Sequence, residues 1–144
     1  MAHIDTKAIV SVLGGPKTVG NVRTLHDLAD RVRSGLPWAS FTSVQACFQV
    51  QADELRKVAL LSNRTLSRRR GASFAPDESD RLLRLARVFA HALQVFEEQD
   101  KAARWMTRSN RALGGVVPMT LLDTDIGAQE VDEALGRIEH GILA

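Results

Sequence analysis

Residues 52–70 read ADELRKVALLSNRTLSRRR, and this stretch decides the fold of the N-terminal half. Its apolar residues recur at helical spacing up to Ala59, and Ser62 is a good N-cap for a second helix that starts at Asn63. Two helices joined by so short a turn form a helix-turn-helix. The motif departs from the commonest pattern at two positions, because Leu60 stands in a turn where glycine is frequent and Gln51 is a poor N-cap.

Helical patterns continue on both sides of this motif. One predicted helix begins after Thr24 and ends before Gly35. Further helices are predicted at 44–48, 77–99, 101–106 and 128–140. Residues 8–13 are open to two interpretations, a short strand or a turn of helix. Aromatic residues make up only 5% of the chain, so leucine, valine and alanine must build the core. The pattern therefore predicts an all-α fold.

Charge is distributed unevenly along the chain. Between Leu55 and Pro76 there are six basic residues and no acidic one. Residues 1–75 hold 11 basic and 5 acidic residues, whereas residues 76–144 hold 8 and 12. This asymmetry indicates two kinds of partner, of which the basic half would bind nucleic acid.

The basic helix at 63–70 supplies the candidate DNA-binding residues. If Leu66 points inward, a helical wheel places four residues toward a groove, namely Arg64, Thr65, Ser67 and Arg68. Arg69 and Arg70 lie nearer the edges, where we expect contacts with phosphates. Arg64, close to the N-terminus of the helix, is the best candidate for a base edge. The alternative is that Arg68, Arg69 and Arg70 pair with carboxylates elsewhere in the fold.

Signatures of catalysis and of metal binding are missing from the sequence. The four histidines lie far apart, outside any HExxH pattern or cysteine pair, and Gly114-Gly115 lacks the Lys and Ser/Thr of a phosphate loop. We expect no catalytic residues, no metal, no cofactor and no enzyme activity. Cys47 is the single cysteine and is expected to be buried. No apolar run approaches the roughly 20 residues of a membrane span, and the start lacks a signal-peptide pattern, so we expect a cytoplasmic protein.

Three segments that occur in order resemble those of the Xre/MbcA/ParS antitoxin family, which is encoded beside RES-domain toxins. They are Asn63-Arg64-Thr65-Leu66-Ser67-Arg68-Arg69, Glu78-Ser79-Asp80-Arg81-Leu82 and Asn110-x-x-Leu113-Gly114-Gly115-x-x-Pro118-x-x-Leu121-Leu122-x-Thr124-x-x-Gly127. The resemblance covers roughly residues 25–144. It departs from the family pattern at Leu60 and Gln51, and at Met106, where a second aliphatic residue is usual.

The resemblance implies a helix-turn-helix domain at 24–75 and a helical toxin-binding domain at 76–144, and it leaves an N-terminal arm of uncertain structure at 1–23. It implies an antitoxin that neutralises a NAD-degrading RES-domain toxin by covering the active-site cleft. It also implies binding to operator DNA, autorepression of the operon, and assembly as a homodimer or a larger complex with the toxin. The toxin, and not this chain, would be the enzyme.

The C-terminal residues are the candidate toxin-binding site. Residues 112–144 carry six acidic residues and one basic residue, opposite in sign to a pocket that holds a pyrophosphate. We expect the following residues to enter or cover the cleft: Glu139, His140, Gly141, Ile142, Leu143 and Ala144. The alternative function is a stand-alone helix-turn-helix transcriptional regulator whose C-terminal domain only dimerises; a small enzyme that uses the Gly114-Gly115 loop is a third.

Overall fold

A computed structural model describes residues 5–141, and the regular secondary structure in this range consists of helices. The prediction of an all-α fold is confirmed. The α-helices are α1 Thr6–Val12, α2 Pro16–Val19, α3 Leu25–Ser34, α4 Trp38–Phe48, α5 Ala52–Val58, α6 Asn63–Arg69, α7 Pro76–Phe96, α8 Gln99–Thr107 and α9 Asp125–Glu139. Two 3₁₀ helices, η1 Arg111–Leu113 and η2 Pro118–Asp123, connect α8 to α9.

Helix α7 is the centre of the molecule. It is 21 residues long and packs against α1, α3, α4, α8 and α9. Its inward stripe includes Leu82, Leu85 and Phe89, all fully buried. One continuous hydrophobic core runs from the N-terminal helices through α7 to α9. The helix-turn-helix and the C-terminal helices therefore share a single core, built around one helix.

The N-terminal segment is part of this core. Ile9, Val12 and Leu13 are buried, which resolves the open question over residues 8–13 in favour of a helix. Two buried or half-buried serines of α4 tie the segment down, because Ser40 Oγ donates to the Leu13 carbonyl and Ser43 Oγ donates to the Val12 carbonyl, each at 2.8 Å. These bonds satisfy the carbonyls at the end of α1.

Several helices differ in their bounds from the sequence-based prediction; α9, for example, begins at Asp125 rather than at residue 128. Helix α4 begins at Trp38 rather than at residue 44, and α7 ends at Phe96 rather than at residue 99. The break follows from Glu97, whose φ of 64° places it in the left-handed region and ends the helix before α8 starts. The long helix and the short one predicted at 101–106 are thus joined by a sharp turn.

Helix α9 starts in close contact with η2. Thr124 is its N-cap, and the Thr124 hydroxyl accepts a hydrogen bond from the Gly127 N–H at 2.9 Å. Gly127 is buried, and a β-carbon at this position would meet the backbone carbonyl of Leu121. Glycine is therefore required here by the close approach of two backbones.

Candidate nucleic-acid interface and partner-binding segment

The helix-turn-helix is formed by α5, the turn at 59–62 and α6. Leu55 and Leu66 anchor the two helices in the core, and Ser62 caps α6 by accepting a hydrogen bond from the Thr65 N–H at 3.0 Å. Leu60 adopts a φ of 58°, a conformation that usually selects glycine. Arg81 of α7 stabilises the turn, since its Nε donates to the Ala59 carbonyl at 2.8 Å and its Nη2 to the Leu60 carbonyl at 3.3 Å. A cation at the C-terminus of α5 also complements the helix dipole.

Helix α6 exposes the face that the helical wheel predicts. Arg64, Ser67 and Arg68 are exposed, and Thr65 is half-buried. Among residues 5–141, Arg64 and Arg68 have no carboxylate partner and donate no hydrogen bond. Thr65 is partly committed, because its hydroxyl accepts a hydrogen bond from Ser62 Oγ at 3.0 Å. Two cations on this face are thus available to an anionic ligand.

Arg69 is engaged within the fold. Its Nε lies 2.8 Å from Glu78 Oε1 and its Nη2 lies 3.4 Å from Oε2, and Glu78 also accepts a hydrogen bond from the Ala75 N–H at 2.8 Å. Burial raises the pKa of Glu78, but the hydrogen bonds from Arg69 and Ala75 outweigh it and hold this pKa below its ordinary value. Of the three arginines for which carboxylate pairing was the alternative to DNA binding, Arg69 is therefore one that pairs within the fold.

Arg70 lies over an aromatic cluster. Its guanidinium carbon is 5.6 Å from the centroid of the Trp38 ring, which in turn stacks on Phe41 at 5.3 Å and on Phe74 at 6.0 Å. A cation within about 6 Å of an indole face is attracted by the ring quadrupole. Arg70 remains exposed, so Trp38 orients its guanidinium without removing it from solvent. Sequence reasoning missed Trp38 because this contact joins residues 32 positions apart.

The segment from η2 to α9 carries a cluster of exposed carboxylates, called the acidic surface below. It consists of exposed carboxylates, namely Asp123, Asp125, Glu130, Glu133 and Glu139. Within residues 5–141 the first four have no cationic partner. Four of the six acidic residues counted in the sequence of this segment are therefore exposed and unpaired within the described range.

The predicted toxin-binding residues fall at and after the end of α9. Glu139 is the last residue of the helix, His140 is its C-cap, and Gly141 follows with a φ of 75°. Ile142, Leu143 and Ala144 lie outside the described residues. Gly114 and Gly115 have φ values of 68° and 84°, as expected if they serve backbone geometry.

A half-buried polar cluster links α7 to α9, and sequence reasoning did not find it. Asp132 lies at its centre, with Oδ1 at 3.0 Å from His91 Nδ1 and Oδ2 at 2.7 Å from Arg87 Nη1. Burial raises the pKa of Asp132, yet the hydrogen bonds from His91 and Arg87 lower it below its ordinary value, so this carboxylate is ionised. His91 Nε2 is buried and has no hydrogen-bond partner among residues 5–141.

Residues 5–141 contain no group of three or more histidine, cysteine or acidic side chains arranged to hold a metal ion. None of the helices in this range is both long and apolar enough to span a membrane.

This geometry defines a class of protein: a two-part helical regulator in which an exposed basic helix-turn-helix is joined to an acidic helical binding segment. Two family models match the chain. The antitoxin Xre-like helix-turn-helix domain matches residues 27–87, and the antitoxin Xre/MbcA/ParS C-terminal toxin-binding domain matches residues 91–141. The two matches meet inside α7.

Curated relatives agree with these matches. An "Antitoxin Xre" of Photorhabdus laumondii is 39% identical over 116 residues, which is 78% of each chain. An "Antitoxin Xre" of Yersinia enterocolitica is 32% identical over 142 residues, covering 96% of this chain and 93% of the relative. One of Pseudomonas putida is 41% identical over 92 residues, covering 64% and 56%. The chain therefore belongs to the Xre/MbcA/ParS antitoxin family, and the resemblance seen in its sequence is confirmed.

Proposed function

We propose that this antitoxin neutralises a NAD-degrading RES-domain toxin by covering its active-site cleft, and that it represses its own operon by binding operator DNA. The observation that carries the toxin assignment is the acidic surface. A cleft that binds the pyrophosphate of NAD must be electropositive, and exposed carboxylates without cationic partners are attracted to such a cleft. We place this encounter in the cytoplasm, where both NAD and operator DNA are found.

The proposed contact is made by residues 139–144, with Ile142 and Leu143 as apolar anchors and Gly141 allowing the chain to turn. Two truncations test it with purified toxin in an assay of NAD consumption. Removing residues 142–144 spares α9 and Glu139, whereas removing residues 139–144 also removes Glu139. We expect the longer truncation to abolish inhibition while DNA binding by the helix-turn-helix persists. Full inhibition by both truncated chains would disprove the proposed contact.

For DNA, we propose that α6 enters the major groove with Arg64, Thr65, Ser67 and Arg68 toward the bases. Arg70 contacts a phosphate, and Arg69 serves by holding α6 onto α7 through Glu78. Support comes from the exposure of Arg64 and Arg68, which have no partner among residues 5–141.

Arginine substitutions separate these roles. Arg64→Ala should cost about 1–3 kcal/mol on the specific operator and relax sequence preference. Arg70→Ala should weaken binding to all sequences and reduce the salt slope by about 1. Arg104→Ala is the matched control, because it removes the same charge from an exposed position on α8. Operator affinity and salt dependence that were the same in all three variants would contradict the assignment.

Autorepression requires a dimer or a larger complex with the toxin, so that two basic helices reach two half-sites. A reporter driven by the antitoxin's own promoter provides the test. We expect repression by the wild-type chain, further repression when the toxin is co-expressed, and loss of repression with Arg64→Ala. A promoter that is insensitive to the wild-type chain would contradict this part of the proposal.

A further inference from the structure

A pocket of about 650 Å³ lies between the start of α1, the C-terminal half of α7 and the exposed side of α9. Five carboxylates line it, those of Asp5, Asp125, Asp132, Glu133 and Glu139. Among residues 5–141, Arg87 is the one arginine or lysine in the lining, and it is already paired with Asp132 at 2.7 Å. The pocket therefore carries a net negative charge that its own cation does not balance.

At this pocket, His91 places a buried nitrogen that has no hydrogen-bond partner within the described part of the chain. Its side chain is only 6% exposed and lines the pocket. Nδ1 lies 3.0 Å from the ionised Asp132, and a carboxylate can only accept, so Nδ1 carries the ring proton and donates it. In the neutral ring, Nε2 is then a buried acceptor, and it has no donor among residues 5–141.

A second carboxylate lies close to Nε2. Glu139 Oε1 lies 3.6 Å away, which is too far for a hydrogen bond, and a carboxylate offers no proton in any case. In the neutral ring, two acceptors thus face each other at the edge of the pocket. A buried acceptor left unsatisfied is costly, and a positively charged donor placed between the two would satisfy both.

We propose that this pocket binds a cationic side chain, an arginine or lysine of the toxin, whose N–H groups donate to His91 Nε2 and to the Glu139 carboxylate together. The proposal rests on the proposed function, because a cleft that holds a pyrophosphate is lined by such cations. It assigns Glu139 a defined contact, and it makes His91 and Asp132 positioning residues that hold an acceptor toward the guest. Asp132 fixes the tautomer of His91, and His91 in turn presents Nε2.

The pocket itself can be tested without a toxin, on the full chain labelled with ¹⁵N. The probe is N-acetyl-arginine-amide, and N-acetyl-citrulline-amide is its uncharged control of nearly equal shape. In the free protein at pH 8 we expect the His91 ring to show a protonated Nδ1 and an acceptor Nε2. The arginine probe should shift the Nε2 resonance and the citrulline probe should not.

Variants of α9 then locate the guest. Glu139→Gln keeps the shape of the side chain and removes its charge, and Glu130→Gln removes the same charge from an exposed position outside the pocket. We expect the Glu139 variant to bind the arginine probe about ten-fold more weakly and the Glu130 variant to bind it as the wild type does. No response of His91 to the probe, or a free protein in which Nε2 already carries a proton, would overturn the proposal.

The toxin complex tests the identity of the guest separately. With purified toxin, Glu139→Gln should lower affinity about ten-fold and Glu130→Gln should lower it much less. Equal affinities in a chain that still binds the arginine probe would overturn the assignment of the guest to the toxin. They would leave the antitoxin function standing. Loss of toxin binding in the wild-type chain would instead count against the proposed function alone.

Discussion

Replacing Gly127 by alanine tests how closely α9 is seated against η2. The new β-carbon would meet the Leu121 carbonyl oxygen, and it would lie 2.9 Å from the Thr124 hydroxyl oxygen. The first of these atoms belongs to the backbone of η2, and the second caps α9. Because neither can move without disturbing an element of structure, the whole start of α9 must shift.

The expected magnitude follows from opposing contributions. Alanine is preferred over glycine in a helix by about 0.8–1.0 kcal/mol. Overpacking costs about 1–3 kcal/mol, and loss of the Thr124 cap costs about 1 kcal/mol. We therefore expect Gly127→Ala to lower the free energy of unfolding by about 2 kcal/mol. In a chain of this length, that corresponds to a decrease in Tm of about 4–8 °C.

Urea unfolding followed by circular dichroism measures this change. Gly136→Ala is the matched control, since it makes the same substitution in the same helix at a position with no heavy atom within 4 Å of the new β-carbon. It should stabilise the protein by about 0.5–1 kcal/mol, because only the helix preference remains. The two variants should therefore change stability in opposite directions. A Gly127 variant as stable as the Gly136 variant would refute the close packing of α9 on η2.

Three further predictions concern charge and burial. Glu78 and Asp132 have pKa values held below their ordinary 4.5 and 3.8, so the unfolded chain binds protons more readily. The stability that these two carboxylates contribute is present at a pH above those ordinary values and is lost as the pH falls through the lower pKa values of the folded state. Urea unfolding measured at a series of acidic pH values should show this loss. Glu78→Gln should make the free energy of unfolding depend less on pH in this range. Half-buried Cys47 has a pKa raised by burial, so iodoacetamide at pH 8 should label it more slowly than in urea, and equal rates would contradict this. Arg81→Ala should destabilise the helix-turn-helix by about 1–2 kcal/mol and weaken operator binding, and unchanged urea unfolding would show that the turn does not depend on it.

The helix-turn-helix could be predicted from sequence because its signals are local. The cap at Ser62 and the apolar spacing around Leu66 each depend on neighbours within one or two turns. The first turns of α4 could not be predicted, since its residues are apolar on several faces and contact α1, α2, α5, α7 and α8. Residues 8–13 were ambiguous because a run of β-branched residues suits a strand as well as a buried helix.

The chemistry of the two sites was less accessible to sequence reasoning. The exposed face of α6 follows from helical periodicity, but the pairing of Arg69 with Glu78 crosses from α6 to α7. The contact between His91 and Asp132 joins residues 41 positions apart, and no local pattern encodes it. Interactions of this kind depend on how helices pack, and packing is the part of the fold that periodicity does not specify.

The continuity of α7 has a mechanical consequence. Its 21 residues span about 30 Å at about 1.5 Å per residue, and both family matches include part of it. The orientation of the helix-turn-helix relative to α9 therefore depends on which faces of α7 each of them packs against, and not on the length of a flexible linker. If α6 enters the major groove and the toxin binds at the end of α9, as proposed, the toxin would have a fixed angular position around the DNA axis. The spacing and handedness of any array on an operator would then be determined by the geometry of a single helix.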